Sequence, residues 1–162
     1  MSGSHNTALI CTNGHVINDE MRRSPAFKRR FCEDCGAPGI SSCPKCSRPI
    51  RGTYQVPGVV AIGFEFPAPA YCAECGNPFS WTESRLRAAH EYVQELDELS
   101  PEEQARLNQS IDQITRDTPQ TEVAATRVKK ILLKLGKAGG EALHKFLVDV
   151  ASETAKKILT GG

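Results

Sequence analysis

Residues 31–46 read FCEDCGAPGISSCPKC, two Cys-x-x-Cys turns with seven residues between them. Such a turn points both sulfurs at one metal while backbone amides face the thiolates, so each turn supplies half of a tetrahedral site. The device recurs on either side: Cys11-Thr-Asn-Gly-His15 precedes the stretch and Cys72-Ala-Glu-Cys75 follows it. Seven cysteines and one histidine thus fall into four close pairs, enough for two four-ligand sites. An odd number of cysteines strands one thiol if all are read as disulfides. A lone cysteine reads as a small buried hydrophobe, but six of seven in Cys-x-x-Cys do not.

Two ways of combining the pairs stay open. Sequential closure places Cys11, His15, Cys32 and Cys35 on one ion and Cys43, Cys46, Cys72 and Cys75 on the other. The intervening segments then hold 16 and 25 residues, each able to house a strand pair. In the second, 51–56 and 59–66 flank Pro57-Gly58, and Val60, Ile62, Phe64 and Phe66 alternate with Val59, Ala61, Gly63 and Glu65, which predicts a hairpin. Interleaved closure instead joins Cys11 and His15 to Cys43 and Cys46, and Cys32 and Cys35 to Cys72 and Cys75. The hairpin argument favours the sequential form. Gly36 and Gly76 follow two of the turns and suit the left-handed exit from them, and Asn13-Gly14 bends the first pair.

With a hairpin between knuckles, the phrases CTNGH…FCEDCG and CPKC…YCAECG resemble a double zinc ribbon over about residues 9–80. The expected fold class is α+β: residues 1–81 as two ribbons (9–40 and 41–80), then a helical region over 82–162. The interleaved form would instead resemble a RING-type cross-brace, which recruits ubiquitin-conjugating enzymes. The mixed Cys-His set suits zinc, although four thiolates also suit iron. Eight ligands for two ions leave no open position for water, so both zinc ions are expected to be structural. No catalytic residue is expected. A redox dithiol would need a βαβ setting, and no nucleophile elbow, phosphate loop or dinucleotide fingerprint occurs.

Composition sets the outer limits. A chain of 162 residues with 40% hydrophobic and 6% aromatic side chains builds small cores, where crosslinks compensate for limited burial. All seven cysteines precede residue 76, and after Trp81 the sequence turns to Ala, Leu, Glu, Lys and Gln. About four amphipathic helices are expected there. Ser80-Trp81-Thr82-Glu83 has the form of a capping box, with Leu86, Ala89, Val93 and Leu96 as its stripe. Ser100-Pro101-Glu102-Glu103 begins a second helix, striped by Leu107, Ile111 and Ile114. Thr118-Pro119 repeats the start signal. The third helix is expected to break at Gly136, Gly139 and Gly140, and the last to stop at Gly161-Gly162.

The net charge of +1 hides a gradient: segment 83–118 holds four Lys/Arg against nine Asp/Glu, and 119–162 holds eight against four. The lysine-rich tail suits packing on the acidic helices, self-association as a homo-oligomer, a protein partner, or a membrane surface through 123–160. The basic loop 22–30, including Arg29 and Arg30 beside Phe27 and Phe31, offers nucleic acid a weaker footing, since the front half is not strongly basic. No small-molecule substrate is expected. His5, His90 and His144 receive no functional role. With neither a basic, apolar leader nor a long apolar run, a cytoplasmic setting is expected. Cysteine spacing and tail texture together make the chain similar to an uncharacterised family of small bacterial proteins. That resemblance implies no reaction.

Overall fold

β-structure comes first along the chain and helices second, an α+β organisation. The computed structural model describes residues 2–60 and 62–161. Ala61 and Gly162, which enter the expected hairpin and the expected helix stop, lie outside the described residues. The chain divides into the units Met1–Glu83 and Ser84–Gly162, each with its own core.

In the first unit β2 (Leu9–Cys11) is buried throughout and pairs antiparallel with β3 (Val16–Asn18) on one side and β4 (Gly39–Ile40) on the other. A second sheet joins β1 (Ser4–Thr7) to β5 (Arg51–Gln55). This corrects the hairpin expected between 51–56 and 59–66. β5 takes β1 as its partner instead, and no strand is found among the described residues of 56–71. Gly58 and Gly63 adopt positive φ, 80° and 73°, so the segment turns where a strand would run straight. His5 is part of β1: its Nδ1 lies 3.1 Å from the Gly52 carbonyl and its ring meets Tyr54 edge-on. The core beneath gathers Ala8, Ile10, Ile50, Phe79 and Trp81 with Cys43 and Cys72. Phe79 and Trp81 stack with ring centroids 4.5 Å apart, and the indole donates to Pro69 O at 2.9 Å. Stacking and a satisfied N–H together let the one tryptophan sit fully buried.

Four helices follow: α1 (Ser80–Gln94), α2 (Pro101–Ile114), α3 (Thr121–Val150) and α4 (Glu153–Thr160). In the second unit Ala89, Val93, Leu107, Ile111, Ile114, Val128, Leu143 and Leu147 form the centre of the core. The stripes at three- and four-residue spacing put these side chains on one face of each helix. The capping box at Ser100 and Glu103 forms as expected, with both reciprocal bonds. At Ser80 it does not: the hydroxyl donates to Thr12 O at 2.9 Å, and the Glu83 amide bonds Phe79 O instead. Helix α3 starts at Thr121, because Thr118 is used in a turn closed by Thr121 N–H on Thr118 O. Of the three glycines expected to break it, only Gly136 departs from helical geometry, with φ 69° and ψ −165°. Gly136 thus kinks α3 where a weakening or break was expected; a second break comes at Ala151, and Ser152 caps α4 by accepting from the Ala155 amide. No helix among the described residues is long and apolar enough to cross a membrane.

Candidate metal centres

Three of the four close pairs share one backbone design. In each, the first cysteine N–H bonds the carbonyl five residues on (Ala37, Arg48, Asn77). The residue four on (Gly36, Ser47, Gly76) bonds back to the cysteine carbonyl. A bridge then ties the residue before each turn to a proline: Phe31 to Pro38, Ser42 to Pro49, Tyr71 to Pro78. The fourth pair is built into a hairpin. Cys11 ends β2, Gly14 turns back with φ 91°, and the Cys11 amide bonds His15 O at 2.9 Å before β3 begins.

These turns bring the eight candidate ligands into two groups, Cys11, His15, Cys32 and Cys35, and Cys43, Cys46, Cys72 and Cys75. Within each group the ligand atoms all lie within 4.8 Å of one another. The grouping is the sequential one. This grouping overturns the interleaved alternative, and with it the RING-like cross-brace; in the first group, β2 pairs with both β3 and β4, which brings residues 11–15 beside the turn at 32–35. All seven cysteines are free thiols.

Distances test whether an ion fits. A tetrahedron with zinc–sulfur bonds of about 2.3 Å has sulfur–sulfur edges of about 3.8 Å. Cys43 and Cys75 Sγ are 3.8 Å apart, and Cys46–Cys72 and Cys11–Cys35 are each 3.7 Å. With a zinc–nitrogen bond of about 2.0 Å, the nitrogen–sulfur edges become about 3.5 Å. His15 Nδ1 lies 3.5, 3.3 and 3.6 Å from the sulfurs of Cys11, Cys35 and Cys32. Both groups therefore have the dimensions of tetrahedral sites for a metal ion, with Nδ1 as the histidine donor.

The surroundings divide the thiols. The Ala37 amide and the Asn13 side chain, with His15 and Cys11 adding to them, overcome burial and lower the Cys35 thiol to about 6. Asn77, through its side chain and then its amide, does the same for Cys75, also to about 6. Burial pushes Cys32 up. At Cys46 the Arg48 amide pulls downward, but burial and the three neighbouring thiols outweigh it and hold the group up at about 12. Each cluster thus carries a proton reluctant to leave beside a sulfur ready to ionise, a mixture that a divalent cation resolves by deprotonating every ligand. Asn13 and Asn77 were invisible as outer ligands in the sequence. Each donates to a sulfur at 3.4 Å, Asn13 to Cys35 and Asn77 to Cys75. Their signal was a place in the knuckle loop and nothing in the residue type.

Neither His90 nor His144 is a member of either ligand group. His90 pairs with Asp112 at 2.9 Å, and His144 Nε2 sits 3.3 Å from Leu159 O near the end of α4. In the basic loop, Arg29 pairs with Glu33, and Arg22 donates to His5 O. No curated protein and no solved structure matches the chain. A family model described as "Uncharacterized protein conserved in bacteria (DUF2321)" does match, over residues 4–159. That span takes in both candidate metal centres and the helices as far as residue 159, and the chain belongs to this bacterial family.

Proposed function

We propose that the protein is a non-enzymatic, zinc-binding interaction module, in which two structural zinc ions stiffen the first unit and the helices dock a partner or a second copy. One observation carries the reading: eight ligand atoms in two groups whose edge lengths match tetrahedral zinc. Each ion would have all four positions filled by protein, so neither would hold the water a catalytic zinc activates. Donor chemistry favours zinc over iron at the Cys-His centre, and a reducing cytosol would keep the ligands as thiols. The docking role draws on Leu133, 75% exposed on α3, with Val123 and Phe146 also exposed on that helix.

Mass spectrometry under native conditions reads both parts at once. Two zinc ions per chain are expected, and Cys11→Ala should retain one, the ion at residues 43–75. One ion in the unaltered chain, or iron in either centre, would overturn the metal assignment. A single copy at every protein concentration would remove self-association.

A further inference from the structure

Residues 56–64 contain no charged side chain. Among the described residues of this arm, Val56, Val59, Val60, Ile62 and Phe64 are all exposed, Ile62 at 92% and Phe64 at 64%. A soluble fold scatters single apolar side chains over its surface, but five on one uncharged segment make a patch that wants a cover. The arm is held at both feet. On one side Gln55, the last residue of β5, donates to Glu20 at 2.9 Å. On the other, Phe66 and Ala68 pack on the core, while Trp81 and Thr82 bond the carbonyls of Pro69 and Ala70. Its apolar groups are thus displayed by a frame, between the third and fourth metal-ligand pairs.

One foot stands beside Arg23, which belongs to a basic segment. Residues 22–31 hold five Lys/Arg and no acidic residue. Arg23 lines the same groove as Val56, Val59 and Val60, and it faces Glu20, the residue that grips Gln55. Exposed Phe27 and Phe31 lie among these cations, with the Arg30 guanidinium 6.0 Å from the Phe31 ring centre. Glu33 offsets Arg29 and Glu20 offsets Arg23, so the local charge excess rests chiefly on Arg22, Lys28 and Arg30.

We propose that this face binds an anionic lipid surface: the 56–64 arm enters the boundary between headgroups and acyl chains, and residues 22–31 meet the lipid phosphates. The two halves of the patch answer the two layers of such a surface, apolar tip to apolar depth and cationic collar to anionic headgroups. A nucleic acid would use the collar and leave the apolar arm in water. A second copy would bring the same cations against one another. The proposal rests on the reading that zinc stiffens the unit from which the arm projects, and its test keeps the two apart.

The test uses the full zinc-loaded chain and vesicles of phosphatidylcholine, alone or mixed with phosphatidylglycerol. Cosedimentation is expected with the mixed vesicles, weaker with phosphatidylcholine alone, and declining as salt screens the collar. Ile62→Asp combined with Phe64→Asp should weaken binding about a hundredfold. Lys28→Gln and Arg30→Gln should weaken it about fivefold each. Ile62→Ser, at a side chain almost wholly in solvent, keeps the test decisive if the double variant fails to fold, and about a tenfold loss is expected. A chain that carries two zinc ions and sediments with neither vesicle overturns the lipid proposal and leaves the zinc reading standing. A chain without zinc overturns the zinc reading first. Vesicle binding untouched by the arm variants, duplex DNA bound in preference to vesicles, or a dimer that the arm variants dissociate would each overturn it as well.

Discussion

Ser47 occupies the place that Gly36 and Gly76 take in the other two Cys-x-x-Cys turns, and it adopts the same left-handed conformation, φ 61° against 71° and 72°. A side chain there costs about 1 kcal/mol that glycine does not. Ser47→Gly should therefore raise the stability of the first unit by about 1 kcal/mol, and Gly76→Ala should lower it by a similar amount. Nothing lies within 4 Å of a Cβ added at Gly76, so the loss would be backbone strain alone. Denaturant titration followed by Trp81 fluorescence reads both. Gly52 is a different case: a Cβ there would run into the carbonyl of Asp19, which accepts the Thr53 amide at 3.1 Å. Gly52→Ala should cost about 3 kcal/mol in the same titration, through overpacking. The eight ligand positions were legible because metal chemistry needs particular side chains at short spacing. Gly52 and the bond from Asn13 to Cys35 were not, because each owes its role to a segment brought near by folding.

Among the elements, helix starts were read best where the capping side chain had nothing better to bond. Ser100 faces water and closes its box with Glu103. Ser80 carries the same signal, but its hydroxyl finds the Thr12 carbonyl. Glu103 also accepts from Lys134 at 2.5 Å, and this bond, with the Ser100 amide, holds its carboxyl below the ordinary 4.5. At the start of α4, Asp117 is lowered from 3.8 by the hydroxyls of Ser152 and Thr154 and by the field of Lys157. Both folded values lie below the unfolded ones, so both groups stabilise the fold above about pH 4.5. That contribution is lost as pH falls through the folded values. Thermal melts followed at the helical signal should show a falling midpoint from about pH 4.5 downward. Ser100→Ala should cost about 1 kcal/mol at neutral pH through its cap.

For the whole molecule, the two units draw on different sources of stability. The helical unit packs its own apolar stripes, while the first unit has a small core in which Cys43 and Cys72 are themselves members. Metal bound at these clusters would then be part of its folding free energy. A strong chelator should expose Trp81, seen as a red shift in its emission, while most of the helical circular dichroism persists. Helicity collapsing together with the tryptophan signal would show instead that the helices depend on the metal unit.

By itself the sequence determined the ligands, the turns that carry them, the order of metal-rich and helical parts, and most apolar faces. All of these depend on local spacing: three or four residues within a knuckle, three or four between neighbours on a helix face. Tertiary structure alone decided the rest. It chose sequential over interleaved pairing, paired β5 with β1, and left the described residues of 56–64 outside any strand, with Val56, Val59, Val60, Ile62 and Phe64 exposed. An alternating pattern shows that a segment can form a strand, but not which segment will pair with it. β5 finds its partner some fifty positions away, at His5 opposite Tyr54, and no local reading of the chain contains that choice.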